Sequence, residues 1–296
     1  MKERNKVIGI KNSLTVDVED YFQVAAFADS ISKSKWNDYK LRVENNTIRL
    51  LNLFDQHKVK ATFFVLGWVA KRCPKLVEKI AEQGHEVACH GYSHQLIYKQ
   101  SQQVFRDETK KAKDILEDIV GKKILGYRAA SYSITKKSLW ALDILADLDF
   151  VYDSSIVPVR HDLYGIPGMP RFPHLLSSPS GKKIIEFPPS TLSLPGMNLP
   201  VGGGGYFRLF PYWFSKGALK WVNSHDKSPF IFYLHPWEID VNQPRMQGKL
   251  FSKFRHYNNL NKCYSRLESL LYDFDFTTVN EVLVNLKFLD SGVSDA

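Results

Sequence analysis

The sequence predicts an α/β protein built on a parallel sheet, and three observations carry that prediction. Short apolar runs such as Lys60–Leu66 (KATFFVL) and Pro229–Leu234 (PFIFYL) alternate with stretches whose apolar residues recur at helical spacing. The chain has 296 residues, 44% of them hydrophobic and 24% charged, which is ordinary globular usage and enough for a large core. Residues suited to acid–base or metal chemistry fall repeatedly at the ends of the expected strands: Asp17, Glu19 and Asp20, then His90 and His94, then Arg128, then His235. A length near 300 permits two domains. A (β/α) barrel of this size is routinely one, and the alternation favours one domain over 1–296, with a core from about 13 to 284.

Taken in order, Ser13–Val18 reads as a strand ending in acids. Asn45 or Asn46 is placed to cap a helix through about Gln56, with Ile48, Leu51 and Phe54 at helical spacing. Lys60–Leu66 is a buried strand. Pro74 suits the first position of a helix that stops at Gly84, and Glu86–Cys89 is a strand delivering His90 into a turn. Ser101 opens a longer helix ended by Gly121; Lys123–Arg128 is the next strand; Thr135 caps another helix, and Phe150–Tyr152 a further strand before Asp153. From Pro158 to Phe210 the rhythm breaks into Pro- and Gly-rich sequence, read as a long insertion over one end of the sheet with strands at Lys183–Phe187 and Thr191–Leu194. Pro211 starts a helix, Pro229–Leu234 is a strand ending at His235, Met246–Asn261 is polar and basic, and Lys262–Tyr272 is an amphipathic helix. Phe276–Val279 adds a final strand before Asn280–Phe288, and Leu289–Ala296 is a frayed tail.

Composition narrows the function classes. The net charge of +9 fits either an anionic partner or simply a lysine-rich surface, while the lack of a basic block with aromatic interleaving argues against nucleic acid. Three widely spaced cysteines do not make a disulfide framework and fit a reducing compartment. The first residues, MKERNKVIGIKNSLTV, lack the apolar run of a signal peptide, and no segment reaches the ~20 apolar residues of a membrane span, so a cytoplasmic location is expected. Gly202–Gly205 lacks the Lys-Ser/Thr of a phosphate loop; a flexible groove lining is the better reading, with Tyr206, Phe207 and Arg208 placed to contact sugar.

The strand-end residues suggest one chemistry. His90 and His94 converge if the residues between them make a helical turn, and neutral imidazoles hold divalent metals. Two histidines and one carboxylate leave a coordination position open, as catalytic metals require. Such an ion acidifies bound water and polarises a carbonyl, and the flanking acid, Arg and His supply a base, its orienting cation and a general acid.

The ordered segments TVDVED (Thr15–Asp20), ATFFVLG (Ala61–Gly67), HGYSH (His90–His94), YRAASYS (Tyr127–Ser133), YDSS (Tyr152–Ser155) and YLHPWEID (Tyr233–Asp240) resemble the polysaccharide deacetylase family with the NodB-homology fold, the carbohydrate esterases of family four. VDVEDYFQV (Val16–Val24) and FRHYNNL (Phe254–Leu260) are similar to the branch found with exopolysaccharide and exosortase gene clusters. The resemblance implies a distorted (β/α) barrel and hydrolysis of N-acetyl groups on an amino-sugar polysaccharide or its lipid- or nucleotide-linked precursor. It assigns Asp17 as base, Arg128 as the residue holding it, His235 as general acid, and His90 and His94 as ligands of a divalent ion: zinc first, cobalt or nickel otherwise. The family writes two adjacent aspartates in the first motif, whereas Val18 stands in the second slot here. The third ligand is then Glu19, which shares a strand face with Asp17, or Asp20 if a turn begins after Val18. Tyr132, Trp237 and Tyr206 are candidate substrate contacts, Trp237 equally a core aromatic, and Asp153 is either a histidine's partner or a helix cap. The remaining six histidines, His57, His85, His161, His174, His225 and His256, are taken as non-functional. Peripheral membrane-surface contact fits the basic charge. Two other readings use the same scaffold: hydrolysis of a non-sugar C–N bond of the allantoin or cyclic-imide type, and a metal-free carbohydrate-binding relic.

Overall fold

Strand β1 (Lys11–Val18) lies inside the sheet, and its alternation organises the molecule. Leu14, Val16 and Val18 enter the main apolar core, while Thr15 and Asp17 turn to the other face and meet one guanidinium there. The computed structural model describes residues 9–28 and 30–290; the charged N-terminal residues and most of the expected frayed tail lie outside them.

After β1 come α1 (Val43–Gln56), β2 (Thr62–Val65), α2 (Gly67–Arg72), α3 (Pro74–Glu82) and β3 (Glu86–Cys89). The alternation continues through α4 (Gln102–Val120), β4 (Gly126–Tyr127), α5 (Ala141–Asp147) and β5 (Tyr152–Asp153). Helix α4 has the expected ends: Ser101 accepts from the Val104 N–H, and Gly121 takes the left-handed φ of 70° that closes a helix. Helix α1 differs from expectation. Neither Asn45 nor Asn46 caps it; Asp20, from the end of β1, accepts the Arg42 and Val43 N–H groups at 2.7 and 2.9 Å, a cap that sequence proximity does not reveal. Helix α5 also begins later than Thr135, whose own N–H donates to Ser138.

The segment 158–210 is more integrated than an insertion. Its β6 (His174–Ser177) and β7 (Lys183–Glu186) join the main sheet, because Ile184 and Ile185 bury on opposite faces, while β8 (Thr191–Leu194) and β9 (Met197–Pro200) form a separate hairpin. The glycine run before α6 (Gly204–Leu209) serves close approach: a Cβ on Gly203, at φ 132°, would lie 1.9 Å from the Tyr233 carbonyl oxygen. Tyr233 N–H donates to Gly202 O at 2.7 Å, so the run is stitched to a strand and is not a flexible lining.

The chain ends with α7 (Tyr212–Ser224), β10 (Ile231–Leu234), α8 (Leu250–Tyr257), α9 (Leu260–Asp273), β11 (Asp275–Thr277) and α10 (Val279–Asn285). Helix α8 lies where the sequence reading expected only polar, basic chain. The main sheet runs β10-β1-β2-β3-β4-β5-β7-β6, with β11 also on β1, and every pairing is parallel except β6 with β7. This is a distorted barrel left open between β10 and β6 among the described residues. Helices cover its outer face over a continuous core, while α10 contributes Val279, Val282 and Leu283 to a smaller cluster with Phe64, Ala88 and Ile231. Parallel strands place all their carboxyl ends on one side, where the polar residues gather.

A candidate metal and acid–base site

Asp17 sits on the inner face of β1, close to that side. Arg128, which follows β4, is fully buried, and its Nη1 donates to both Thr15 Oγ1 and Asp17 Oδ1 at 2.8 and 2.7 Å. Its Nη2 donates to Ser154 Oγ at 2.9 Å and its Nε to Ser154 O at 3.2 Å, and the guanidinium lies over the Phe64 ring at 4.0 Å. Burial opposes the charge, yet the adjacent Asp17 carboxylate keeps the guanidinium pKa above its ordinary value.

Glu19, His90 and His94 each offer one ligand atom within 4.8 Å of the others. His90 continues the β3 ladder, its N–H donating to Val65 O, and its Nδ1 lies 2.8 Å from Arg128 O. A donor hydrogen on that Nδ1 leaves Nε2 as the bare lone pair, the tautomer a metal requires. The two rings are 5.4 Å apart, but no helical turn brings them together. Gly91 at φ 72° and His94 at φ 49° make an irregular turn, and a histidine held in the left-handed region is a strained position of the kind found at functional sites.

Glu19 Oε2 lies 2.8 Å from His94 Nε2 without hydrogen-bond geometry, and both this oxygen and His94 Nδ1 are buried with no hydrogen-bond partner. Buried polar atoms are rarely left so. Two imidazole nitrogens and a carboxylate oxygen around one point fit a divalent ion. Burial would raise the Glu19 carboxyl, but His94, His235 and His90 bring it down to about 2; burial takes His90 down to about 4. Between the two alternatives for the third acid, Glu19 stands in this cluster, while Asp20 caps α1 and accepts the Tyr21 N–H.

His235 follows β10 and closes the other side, its Nε2 3.6 Å from Glu19 Oε1 and 3.8 Å from Asp17 Oδ2. Its Nδ1 is 2.7 Å from Glu238 Oε1, which also accepts the His235 N–H at 3.0 Å. Burial works against its charge, yet Glu238, Glu19 and Asp17 push His235 up to about 9. Glu238 was missed by the sequence reading, although Pro236 after His235 and a Glu three residues on are a helix-start signal. Arg208, expected at a groove, is buried instead: its Nε pairs with Glu238 Oε2 at 2.5 Å and its other nitrogens reach the carbonyls of Arg255, His256 and Asn258.

Of the two readings of Trp237, substrate contact or core aromatic, its burial fits the second. Trp237 is 6% exposed, stacks with His235 and His256 at 5.1 and 4.1 Å, and donates from Nε1 to Glu19 Oε1 at 3.2 Å. His256, set aside as non-functional, thereby belongs to the wall behind the cluster. Tyr132 has its hydroxyl buried without a hydrogen-bond partner and its ring 5.1 Å from Tyr233 and 6.3 Å from Tyr164, a residue the sequence did not single out. The Tyr206 ring lies 5.9 Å from Phe210. Asp153 neither partners a histidine nor caps a helix; its Oδ1 accepts from Ser155 Oγ at 2.5 Å beside the buried Glu186. The other five histidines stay outside the cluster, His161 stacked on Tyr164 at 4.0 Å. Cys73, Cys89 and Cys263 are buried and free, and no helix among the described residues is long and apolar enough to cross a membrane.

An open parallel barrel carrying two histidines and a carboxylate beside an Arg-held aspartate and a His–Glu pair defines an α/β class with its polar site at the strand ends. Residues 34–150 match the description "Polysaccharide deacetylase", and residues 154–284 match "Domain of unknown function (DUF3473)". Over residues 34–150 the chain is thus similar to the polysaccharide deacetylase family. A Bacillus cereus peptidoglycan-N-acetylglucosamine deacetylase is 39% identical over 75 residues, 25% of this chain and 27% of that protein. A Bradyrhizobium chitooligosaccharide deacetylase is 30% identical over 97 residues, 33% of this chain and 42% of that protein. The match thus spans less than half the length of these curated relatives. Among solved structures, a Mycobacterium smegmatis protein described as a polysaccharide deacetylase superposes with TM-score 0.58 at 16% identity, covering 97% of this chain and 94% of its own. Puue allantoinase superposes with TM-score 0.59 at 14% identity, covering 94% and 90%; at these identities the likeness is one of fold.

Proposed function

We propose that this chain is a metal-dependent hydrolase that removes N-acetyl groups from an amino-sugar glycan, working as one catalytic unit across both matched segments. The observation that supports this most is the buried Glu19–His90–His94 cluster flanked by Asp17 and His235. Glu19, His90 and His94 would hold a divalent ion, zinc foremost and cobalt or nickel otherwise, which would supply Lewis-acid polarisation of the acetyl carbonyl and acidify a water. Asp17 takes the water's proton, and Arg128 holds that carboxylate in place through Nη1. His235, oriented through Nδ1 by Glu238, delivers a proton from Nε2 to the departing nitrogen, so that acetate and a free amine leave. Tyr132 and Tyr206 contact the sugar. A cytoplasmic, lipid- or nucleotide-linked precursor of an exopolysaccharide suits the basic charge of +9.

The test is acetate release from N-acetylglucosamine oligomers by metal-loaded protein, with metal content read in parallel for wild type and Glu19→Ala. Loss of both bound metal and turnover in the variant is expected. Stoichiometric metal with turnover of allantoin-like amides and no acetate would replace the sugar reading; a wild type that retains no metal would point to a binding relic.

A further inference from the structure

The face of α8 turned away from the site carries Leu250, Phe251 and Phe254, which are 85%, 69% and 55% exposed. At positions i, i+1 and i+4 they form one continuous apolar stripe. The helix is fixed from below: His256 stacks on Trp237 at 4.1 Å and meets Phe27 at 5.0 Å, and Tyr257 lies against Phe27 at 6.1 Å. The stripe is therefore presented by a seated element at the border of the catalytic cluster. Such contiguous exposed aromatics mark an interaction surface.

Charge identifies what covers it. Between Asp240 and Glu268 the chain has no acidic residue but carries Arg245, Lys249, Lys253, Arg255, Lys262 and Arg266. An apolar stripe inside a purely basic stretch complements a surface that is both apolar and anionic, which is the interfacial zone of a bilayer containing acidic phospholipid. We propose that α8 docks on an anionic membrane surface. The docking does not depend on catalysis. The substrate class it implies, a glycan carried on a membrane lipid, rests on the deacetylase reading.

The experiment is co-sedimentation of the full chain with vesicles of phosphatidylcholine alone or mixed with phosphatidylglycerol. Wild type, the variant L250S/F251S/F254S and the variant K249E/K253E are compared. Wild type should bind the mixed vesicles, and each variant should partition at least about tenfold less, as should wild type on phosphatidylcholine alone. Equal binding by the serine variant, or no binding by wild type, overturns the proposal. So does a wild-type dimer that the serine substitutions convert to monomer, which would assign the stripe to a second copy. Acetate release from water-soluble oligomers, expected to be the same in wild type and the serine variant, controls for folding. If neither releases acetate, the catalytic reading fails while vesicle binding, with the melting curves of both proteins, still decides the docking.

Discussion

Two pairs of buried acids stand at strand ends of the same sheet, and their surroundings treat them in opposite ways. Asp17 and Glu19 end β1; Asp153 and Glu186 end β5 and β7 and lie opposite one another in register. Glu19 and Glu186 are the same residue type, both fully buried, yet Glu19 is brought down to about 2 while Glu186 is pushed well above its ordinary value. Burial raises both. Three histidines reverse it at Glu19; at Glu186 the nearest ionisable group is another carboxyl, which adds to it. Asp153 rises to about 6 for the same first cause, its burial. One centre is thus built to carry charge beside cations and the other to hold a proton among backbone donors. An acid's role is set by what the fold brings to it.

The contrast can be broken at several points. Arg128→Met removes the cation hydrogen-bonded to Asp17 and leaves that buried carboxylate with only the more distant His235, at 3.8 Å, as a charge partner. Stability should fall by about 3–5 kcal/mol in urea denaturation; a loss below about 1 kcal/mol would mean the guanidinium is not what sustains charge at this centre. Asp17→Asn keeps the shape and removes the base. Its kcat for acetate release should drop about 10²–10⁴-fold with bound metal retained, and full activity would remove Asp17 from the mechanism. Glu238→Gln keeps an acceptor for His235 Nδ1 but not the negative charge. A drop in kcat of about 10–100-fold with KM nearly unchanged is expected, and a rise in KM alone would make Glu238 a substrate contact.

The smallest effect belongs to the protonated pair. An acid whose folded pKa is raised adds stability below its unfolded pKa, and that stability is lost as pH rises through the folded value. For Asp153 the window runs from its ordinary 3.8 to about 6, and Glu186 extends the decline to higher pH. Glu186→Gln, which still accepts from Ser155 and Ile156, should flatten this decline and change stability at pH 7 by no more than about 1 kcal/mol. Urea midpoints across pH show whether it does; an unchanged slope would mean the two carboxyls do not share a proton.

Much of the fold was legible because its signals are local. Pro74 opening α3, Ser101 and Gly121 bounding α4, and the apolar runs of β2 and β10 all read directly from neighbouring residues. Where a partner lies far along the chain, the reading failed. Asp20 caps a helix more than twenty residues away, so Asn45 and Asn46 looked like the caps. Lys183–Glu186 was visible as a strand, but nothing local says that it pairs with β5. Helix α8 was obscured because its apolar residues face outward and do not mark a buried side.

The same division runs through the site. By itself the sequence determined which chemically capable residues exist, that they fall at strand ends, and that Asp17 shares a face with Thr15, because a strand's period of two leaves no other choice. Only the tertiary structure put Glu19 beside the two histidines and Asp20 at the start of α1, turned His94 through a left-handed turn instead of a helical one, and closed Trp237 against Glu19. It also supplied Glu238 and Arg208 behind His235. Glu238 lies only three residues from His235, but Arg208 reaches Glu238 across thirty residues and Trp237 reaches Glu19 across more than two hundred, and the energy of a buried charge is fixed by its neighbours in space.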